Sequence, residues 1–373
     1  MNSAPKSCDR KGKEKVFRLH LNQAASCCQA YPTDLDHTKT IDYYADLWQQ
    51  ERQQLDQGQE ILSCETCWKR ENKGLQSYRT MTEAYNTIEI FTSNLCNQMC
   101  SYCSPKFSST WQESSITDGE FKNISATAKL NQSVPKSVTD HQEHWIQEIN
   151  QYITQQPKNS IELRLLGGEP LMQIHGLQRL LEMNTSQVCR LIIQTNLNPP
   201  SQRFLFWILE NFPNEKLVFD ISIDSTPEYN HVPRAGFQKD VFMSNLKLLK
   251  DHAVTCRFTS VISVTSIFDT ANFCKFLDHI GYSTTFTQLN NPDCLDPMYL
   301  PKQFKQQILD TQIPLPDLVT EILNTDTKLI DLKLFEQYNY LKQYFTRAGI
   351  DPTTTPNALF NEYWAWLSNR GFL

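Results

Sequence analysis

Thr87-Ile-Glu-Ile-Phe-Thr92-Ser-Asn-Leu-Cys96-Asn-Gln-Met-Cys100-Ser-Tyr-Cys103 sets a short run of strand formers directly before three closely spaced cysteines. Residues 87–92 carry Ile, Phe and Thr in a length typical of one strand. The cysteines, spaced C-x3-C-x2-C, then fall on the loop leaving that strand. The segments beyond this loop decide the sheet. Residues 161–166, 191–195, 217–223, 255–264 and 283–289 read as strands, separated by helical stretches at 177–183, 203–211, 241–250 and 271–280. Strand–helix alternation at this spacing implies βαβ units and a parallel sheet with right-handed crossovers. In such sheets ligands gather beyond the carboxyl ends of the strands. The cysteine loop lies at that end.

Working outward, residues 104–140 are rich in Ser, Thr, Asn and Lys and lack periodicity, so they read as a long loop or insertion. A helix is expected over 141–155, with Trp145, Ile146, Ile149, Tyr152 and Ile153 on one face. The tail beyond residue 300 reads as helices, with Phe335, Tyr338, Leu341 and Tyr344 as an apolar stripe. The expected organisation is residues 1–84, a cysteine-rich module; 85–300, the strand–helix domain carrying the 104–140 insertion; and 301–373, a helical extension.

Composition bounds the function. Of 373 residues, 40% are apolar and 11% aromatic, enough for a core and too many for a disordered chain. The net charge of −6 disfavours a nucleic-acid partner. The longest apolar run, 204–209, falls far short of the roughly 20 residues that span a bilayer. Residues 1–15 are polar and basic, with no apolar stretch of a secretory signal. A cytoplasmic protein without membrane contact is expected.

There are 12 cysteines, eight of them in the first 103 residues. In a reducing compartment such clusters read as metal ligands rather than disulfides. Cys189, Cys256, Cys274 and Cys294 stand singly and read as small buried hydrophobes. Cys96, Cys100 and Cys103 cannot fill a four-coordinate zinc site without a fourth ligand. A cubane cluster held by three thiolates instead leaves one iron open to a substrate or cofactor. Spacing alone leaves zinc standing as the alternative.

C-x3-C-x-aromatic-C after the first strand of a βα run resembles the radical S-adenosylmethionine (SAM) superfamily. Gly167-Gly168-Glu169-Pro170, directly after the second strand, resembles that family's GGEP motif. Two glycines let a backbone approach a ligand closely, and Pro170 stiffens the loop. Weaker matches come later in the chain, in order. Thr195-Asn196 ends the third strand, with Leu197 where the family often has Gly. Ser222 and Asp224 end the fourth, Arg234 lies ten residues on, and Tyr102 holds the aromatic position between the last two cysteines. The resemblance implies a partial (β/α)6 TIM-like barrel over about residues 86–300. It implies a [4Fe–4S] cluster on Cys96, Cys100 and Cys103, whose open iron chelates SAM. SAM would also meet Gly167, Gly168, Glu169 and Pro170 at its amino group, Tyr102 at its adenine, Ser222 or Asp224 near its ribose, Arg234 at its carboxylate, and Asn196. A one-electron reductant such as flavodoxin or ferredoxin would start the reaction. A 5′-deoxyadenosyl radical would then take hydrogen from a small-molecule or peptide substrate.

The first segment adds Ser26-Cys27-Cys28, then Cys64-Glu-Thr-Cys67-Trp-Lys-Arg-Glu71, Gly74 and Ser77-Tyr78-Arg79. With Ser108-Ser109-Thr110-Trp111, Asn291-Pro292 and Leu300-Pro301, this order is similar to twitch-domain (SPASM-like) radical SAM proteins. It implies an auxiliary iron–sulfur cluster on Cys64, Cys67 and at least one of Cys27 and Cys28. Adjacent cysteines rarely reach one metal together, so Cys28 is the first choice and Cys27 the spare. Cys8 is a further candidate, though its flanks read as a mobile tail. The chain departs from that subgroup before Cys27, where Asn22-Gln23-Ala24-Ala25 stands. A zinc knuckle is the rival for these cysteines. For the whole chain the rivals are a non-catalytic Fe–S or zinc scaffold and an iron–sulfur enzyme that transfers a group from SAM. No acid, base or substrate is legible.

Overall fold

The computed structural model describes residues 8, 10–72, 77, 79, 85–124, 142–184, 186–289, 291–311, 313–327 and 331–371. In chain order these form β1 (Glu14–Arg18), β2 (Gln23–Ala25), β3 (Thr33–Asp34), α1 (Ile41–Asp56), α2 (Glu65–Glu71), β4 (Asn86–Phe91) and β5 (Met99–Cys100). Then come α3 (Ser109–Asp118), α4 (Gln142–Thr154), β6 (Ile161–Leu166), α5 (Ile174–Asn184), β7 (Val188–Thr195), α6 (Arg203–Asn211), β8 (Leu217–Ser222) and β9 (Arg234–Ala235). The last are α7 (Lys239–Asp251), β10 (Thr255–Ile262), α8 (Thr270–Ile280), β11 (Thr284–Gln288), α9 (Lys302–Leu309), α10 (Asp317–Asn324), α11 (Asp331–Ala348) and α12 (Ala358–Ser368). The protein is mixed α/β with parallel strand pairing, as the alternation predicts. Among the described residues no helix is long and apolar enough to cross a membrane.

Two compact units make up the chain: 1–94, 134–194 and 203–218; and 95–133, 195–202 and 219–373. In the first, strands run in the order β7-β6-β4-β1-β2-β3. β1, β4, β6 and β7 are parallel, with Ile90 opposite Leu165 and Leu165 opposite Ile193. Burial runs unbroken over 87–90 of β4, 161–163 of β6 and 191–193 of β7, Glu89 and Glu162 included, as a parallel sheet covered on both faces requires. Thr40 caps α1 by accepting the Tyr43 N–H, and Ile41, Tyr44, Trp48 and Leu55 form its buried face. On α4, Trp145, Ile149 and Ile153 are buried, and Trp145 meets Tyr44 edge-on at 6.0 Å.

β1 is a strand the sequence reading does not anticipate. Glu14-Lys15-Val16-Phe17-Arg18 looks like surface, yet its first four residues are buried. Burial of Glu14 is tolerated because its carboxylate accepts from Arg10 Nε (2.9 Å) and the Cys28 N–H (2.8 Å).

In the second unit, β10 pairs in parallel with β11, and β5 forms a two-stranded antiparallel ribbon with β9. Residues 109–118 correct the expectation of loop over 104–140. They form α3, because Ser108 Oγ accepts the Trp111 N–H and Trp111 is fully buried. Residues 125–140 of that stretch lie outside the described residues, as do His141, Gly74 and Tyr78. The stripe expected on α11 is also corrected. Leu341 and Tyr344 are buried, but Leu334, Tyr340 and Phe345 share the face, while Phe335 and Tyr338 are only half-buried. Phe360, Tyr363 and Leu367 of α12 complete that core.

Candidate functional site

Cys96, Cys100 and Cys103 lie on the turn that contains β5, within the second unit. Main-chain bonds fix its course. The Ser101 N–H donates to Pro233 O (2.8 Å), and the Cys103 N–H to Cys100 O (3.0 Å). The Cys96 N–H donates to Ser109 Oγ (3.1 Å), and Ser109 Oγ and Thr110 Oγ1 donate to Cys96 O. Trp111 Nε1 donates to Cys100 O (2.8 Å). The start of α3 therefore grips both ends of the C-x3-C segment.

Two further supports come from residues the sequence reading does not single out for this role. Tyr340 Oη donates to Ser101 O. Tyr344 Oη accepts the Ala235 N–H (3.2 Å) and lies 3.1 Å from Met99 O and 3.0 Å from Val232 O. Gly236, at φ +91°, is also required: a Cβ there would stand 2.5 Å from Asn97 O. Tyr344 already stands in the apolar stripe, so its burial is legible in advance; its polar task is not.

Below the turn sits a buried charged network. Asp224 Oδ2 accepts from Tyr102 Oη (2.8 Å) and Arg234 Nε (2.8 Å); its Oδ1 accepts from Arg234 Nη2 (3.2 Å) and the Val261 N–H (2.9 Å). All four acceptor positions of the carboxylate are thus occupied by protein. Burial opposes the Arg234 charge, yet Asp224, followed by Tyr102 and Cys100, holds its pKa well above the ordinary value. Arg234 Nη1 also lies 3.7 Å from Cys100 Sγ. Desolvation raises the Cys100 thiol and pushes Cys103 up to about 12. Without metal these groups are thiols; the cation beside Cys100 favours the thiolate that ligation needs.

The structure thus joins Tyr102, Asp224 and Arg234 to the cysteine turn. Asn196 belongs there too: its Nδ2 donates to Asn97 Oδ1 (3.1 Å) and lies 4.0 Å from Cys96 Sγ. Ser222 is half-buried at the carboxyl end of β8. Gln98 is buried beside the cysteines, and its Nε2 has no hydrogen-bond partner among the described residues. An unpaired buried donor beside the thiols suits an anionic or polar ligand.

Gly167, Gly168, Glu169 and Pro170 lie in the first unit. Gly167 has φ +122°, and a Cβ on it would stand 2.8 Å from Ser93 O. The Gly168 N–H donates to Ser93 O (3.0 Å), and buried Glu169 accepts the Leu171 N–H (3.0 Å). Gly167 thus lets the chain leaving β6 pass close to the Ser93 carbonyl.

The first unit also holds the N-terminal cysteines. One pocket is lined by Cys8, Cys27, Cys64 and Cys67 with Arg10, Lys11, Ser63 and Arg79. Cys28 is not on its wall; Gln29 Nε2 reaches its sulfur at 3.8 Å, and burial raises its thiol to about 12. Among the described residues no group of three His, Cys, Asp or Glu side chains stands close enough to hold a single metal ion. A cubane takes one thiolate per iron and so needs its sulfurs further apart than a single ion does.

No family model and no curated protein matches the chain. Solved structures are similar at low identity. Native anSMEcpe with bound AdoMet aligns at 15% identity and TM-score 0.38, over 69% of this chain and 59% of that one. The same protein with bound AdoMet and Kp18Cys peptide aligns at 14% and 0.39, over 71% and 62%. Streptococcus suis SuiB bound to S-adenosylmethionine aligns at 14% and 0.36, over 91% and 70%. This chain therefore spans about three fifths of the length of the anSMEcpe structures. Likeness of this degree carries no argument about activity.

Proposed function

We propose that the chain is a cytoplasmic radical SAM enzyme. Its 85–300 segment would be a partial (β/α)6 barrel, preceded by a twitch-like module at 1–84 and followed by a helical extension at 301–373. Cys96, Cys100 and Cys103 would hold a [4Fe–4S] cluster. Gly167, Gly168, Glu169, Pro170, Asn196, Ser222, Arg234 and Tyr102 would bind SAM. Asp224 would hold Arg234 and Tyr102 in place rather than meet the ligand first. The observation that carries this reading is the cysteine turn itself. Three cysteines are pinned by main-chain bonds, with a buried guanidinium 3.7 Å from Cys100 Sγ.

When held by Cys96, Cys100 and Cys103 and reduced by one electron, such a cluster would supply the one-electron chemistry that makes SAM a source of a hydrogen-abstracting radical. The chain's own residues do the rest. Arg234 offsets the negative charge of thiolates in a buried site. The Ser108–Trp111 turn and Tyr340 and Tyr344 hold the loop against water. In the first segment, Cys64, Cys67 and one of Cys27 and Cys28 would hold an auxiliary cluster. The substrate would be a peptide, sugar or nucleotide-derived molecule, and the reductant a flavodoxin or ferredoxin.

The test is anaerobic loading with iron and sulfide, then dithionite and SAM, with the Cys96→Ala, Cys100→Ala, Cys103→Ala variant alongside. Expected are about eight irons per chain in the natural sequence and about four in the variant, with 5′-deoxyadenosine formed only by the former. Bound zinc with no iron uptake and no 5′-deoxyadenosine would leave a non-catalytic scaffold.

A further inference from the structure

Cys8 is 6% exposed and shares a pocket with cysteines 19, 56 and 59 positions further along the chain. With Cys64 it forms one buried apolar cluster, which Leu55 and Trp68 complete. It is not a tail residue. Against Cys64 stands Lys11, whose side chain is 1% exposed. Its ammonium donates to Ser63 Oγ (2.8 Å) and Cys64 Sγ (3.6 Å) and pairs with Glu51 Oε2 (2.7 Å). An ammonium has three protons, and here each has a taker. Ser63 Oγ in turn donates to Glu51 Oε1 (2.9 Å), which locks the arrangement. On the same wall, Arg79 is held by Glu71 through two bonds of 2.9 and 2.7 Å and lies over the Trp68 ring at 4.4 Å. Arg10 is held by Glu14. A pocket with four thiols and three cationic side chains suits a centre that becomes anionic when its thiols ionise.

We propose that Cys8, Cys27, Cys64 and Cys67 together ligate the N-terminal cluster, and that Lys11 is a positioning residue hydrogen-bonded to the Cys64 sulfur. The proposal rests on the auxiliary-cluster reading above and deepens it. Four protein thiolates satisfy all four irons of a cubane. No iron is then left for substrate, so this centre braces the segment or relays an electron and does not bind the molecule that reacts. Cys28, which does not line the pocket, takes no part.

The test uses the full chain carrying Cys96→Ala, Cys100→Ala and Cys103→Ala, so that only the N-terminal centre is read. After anaerobic loading and reduction, its electron paramagnetic resonance spectrum is recorded with and without imidazole, a small ligand for an open iron. With Cys8 present the spectrum should not change. Adding Cys8→Ala should make it imidazole-sensitive, or abolish iron uptake; adding Cys28→Ala should do neither. Lys11→Met should make the reduction potential more negative, because reduction adds negative charge beside the site the cation has left. Lys11→Arg, which keeps a cation, should keep most of the original potential. A spectrum already sensitive to imidazole with Cys8 intact overturns four-thiolate ligation, as does a Cys8→Ala chain that keeps its iron and stays insensitive. A potential unmoved in Lys11→Met overturns the role of Lys11. No iron in the triple variant at all removes the auxiliary cluster itself, an outcome separate from the others.

Discussion

At the residue scale, the chemistry depends on a few positions with little latitude. Gly236 is one. Any side chain there meets the Asn97 carbonyl and a left-handed backbone at once. Gly236→Ala should cost at least about 1–3 kcal/mol from backbone strain, read as a lower denaturant midpoint of the metal-free chain. It should also lower iron uptake at the Cys96–Cys103 turn, since Asn97 lies inside that loop. Arg234 is another. Arg234→Met leaves a carboxylate that is fully buried with no cation beside it. Breaking a buried pair from one side costs about 3–5 kcal/mol. Replacing both partners, with Asp224→Asn added, should recover part of that loss, and equilibrium unfolding of the two variants reads the difference. The sequence announces Arg234 by its distance from Asp224, but not that the two hold each other. Nor does it announce that β5 and β9 pair Cys100 with Arg234, a contact 134 positions apart in the chain.

At the element scale, α11 bears on the metal turn as much as on the core. Tyr344 sits in an apolar stripe and contributes burial, yet its hydroxyl also serves the backbone of β5 and β9. Tyr344→Phe keeps the ring and strands those main-chain groups. The expected loss is about 1–3 kcal/mol, the cost of unpaired buried polar groups. Urea unfolding of the metal-free chain should show a lower midpoint at unchanged slope, and the loaded chain should release iron faster to a chelator. An unchanged midpoint would mean that water replaces the hydroxyl. Elements of this kind divide the legible from the hidden. β6 and α6 have the bounds that the apolar pattern gives, because β6 alternates apolar with charged residues and α6 carries an unbroken apolar run at 204–209. β1 is hidden by Glu14 and Lys15, which are buried only because Arg10 and the Cys28 N–H, or the Tyr152 ring, receive them. α3 is hidden because its stability comes from one buried tryptophan and a serine cap rather than from an amphipathic face.

At the scale of the whole molecule, the cysteines fall into two groups with different supports. The Cys96–Cys103 turn is short and is pinned by hydrogen bonds from neighbouring elements. The N-terminal group spans residues 8 to 67, through β1, β2, β3 and α1 and into α2. Its grouping is not legible from spacing, because Cys8 joins the others through packing against Leu55 and Trp68 rather than through a motif. A metal centre there would act as a cross-link. It would close a loop of roughly 60 residues and so restrict the unfolded segment, an effect of about 4 kcal/mol by analogy with a disulfide of that span. Amide hydrogen exchange can read this on the triple variant, in which no other iron site remains. Removing the N-terminal iron with a chelator should speed exchange in α1 and α2. Exchange in α11, whose tyrosines hold a turn that carries no metal in this variant, should change far less. Equal exchange in α1 and α2 with and without iron would show that packing by Tyr44, Trp48 and Leu55 already holds the segment, and the metal would then have no structural part in it.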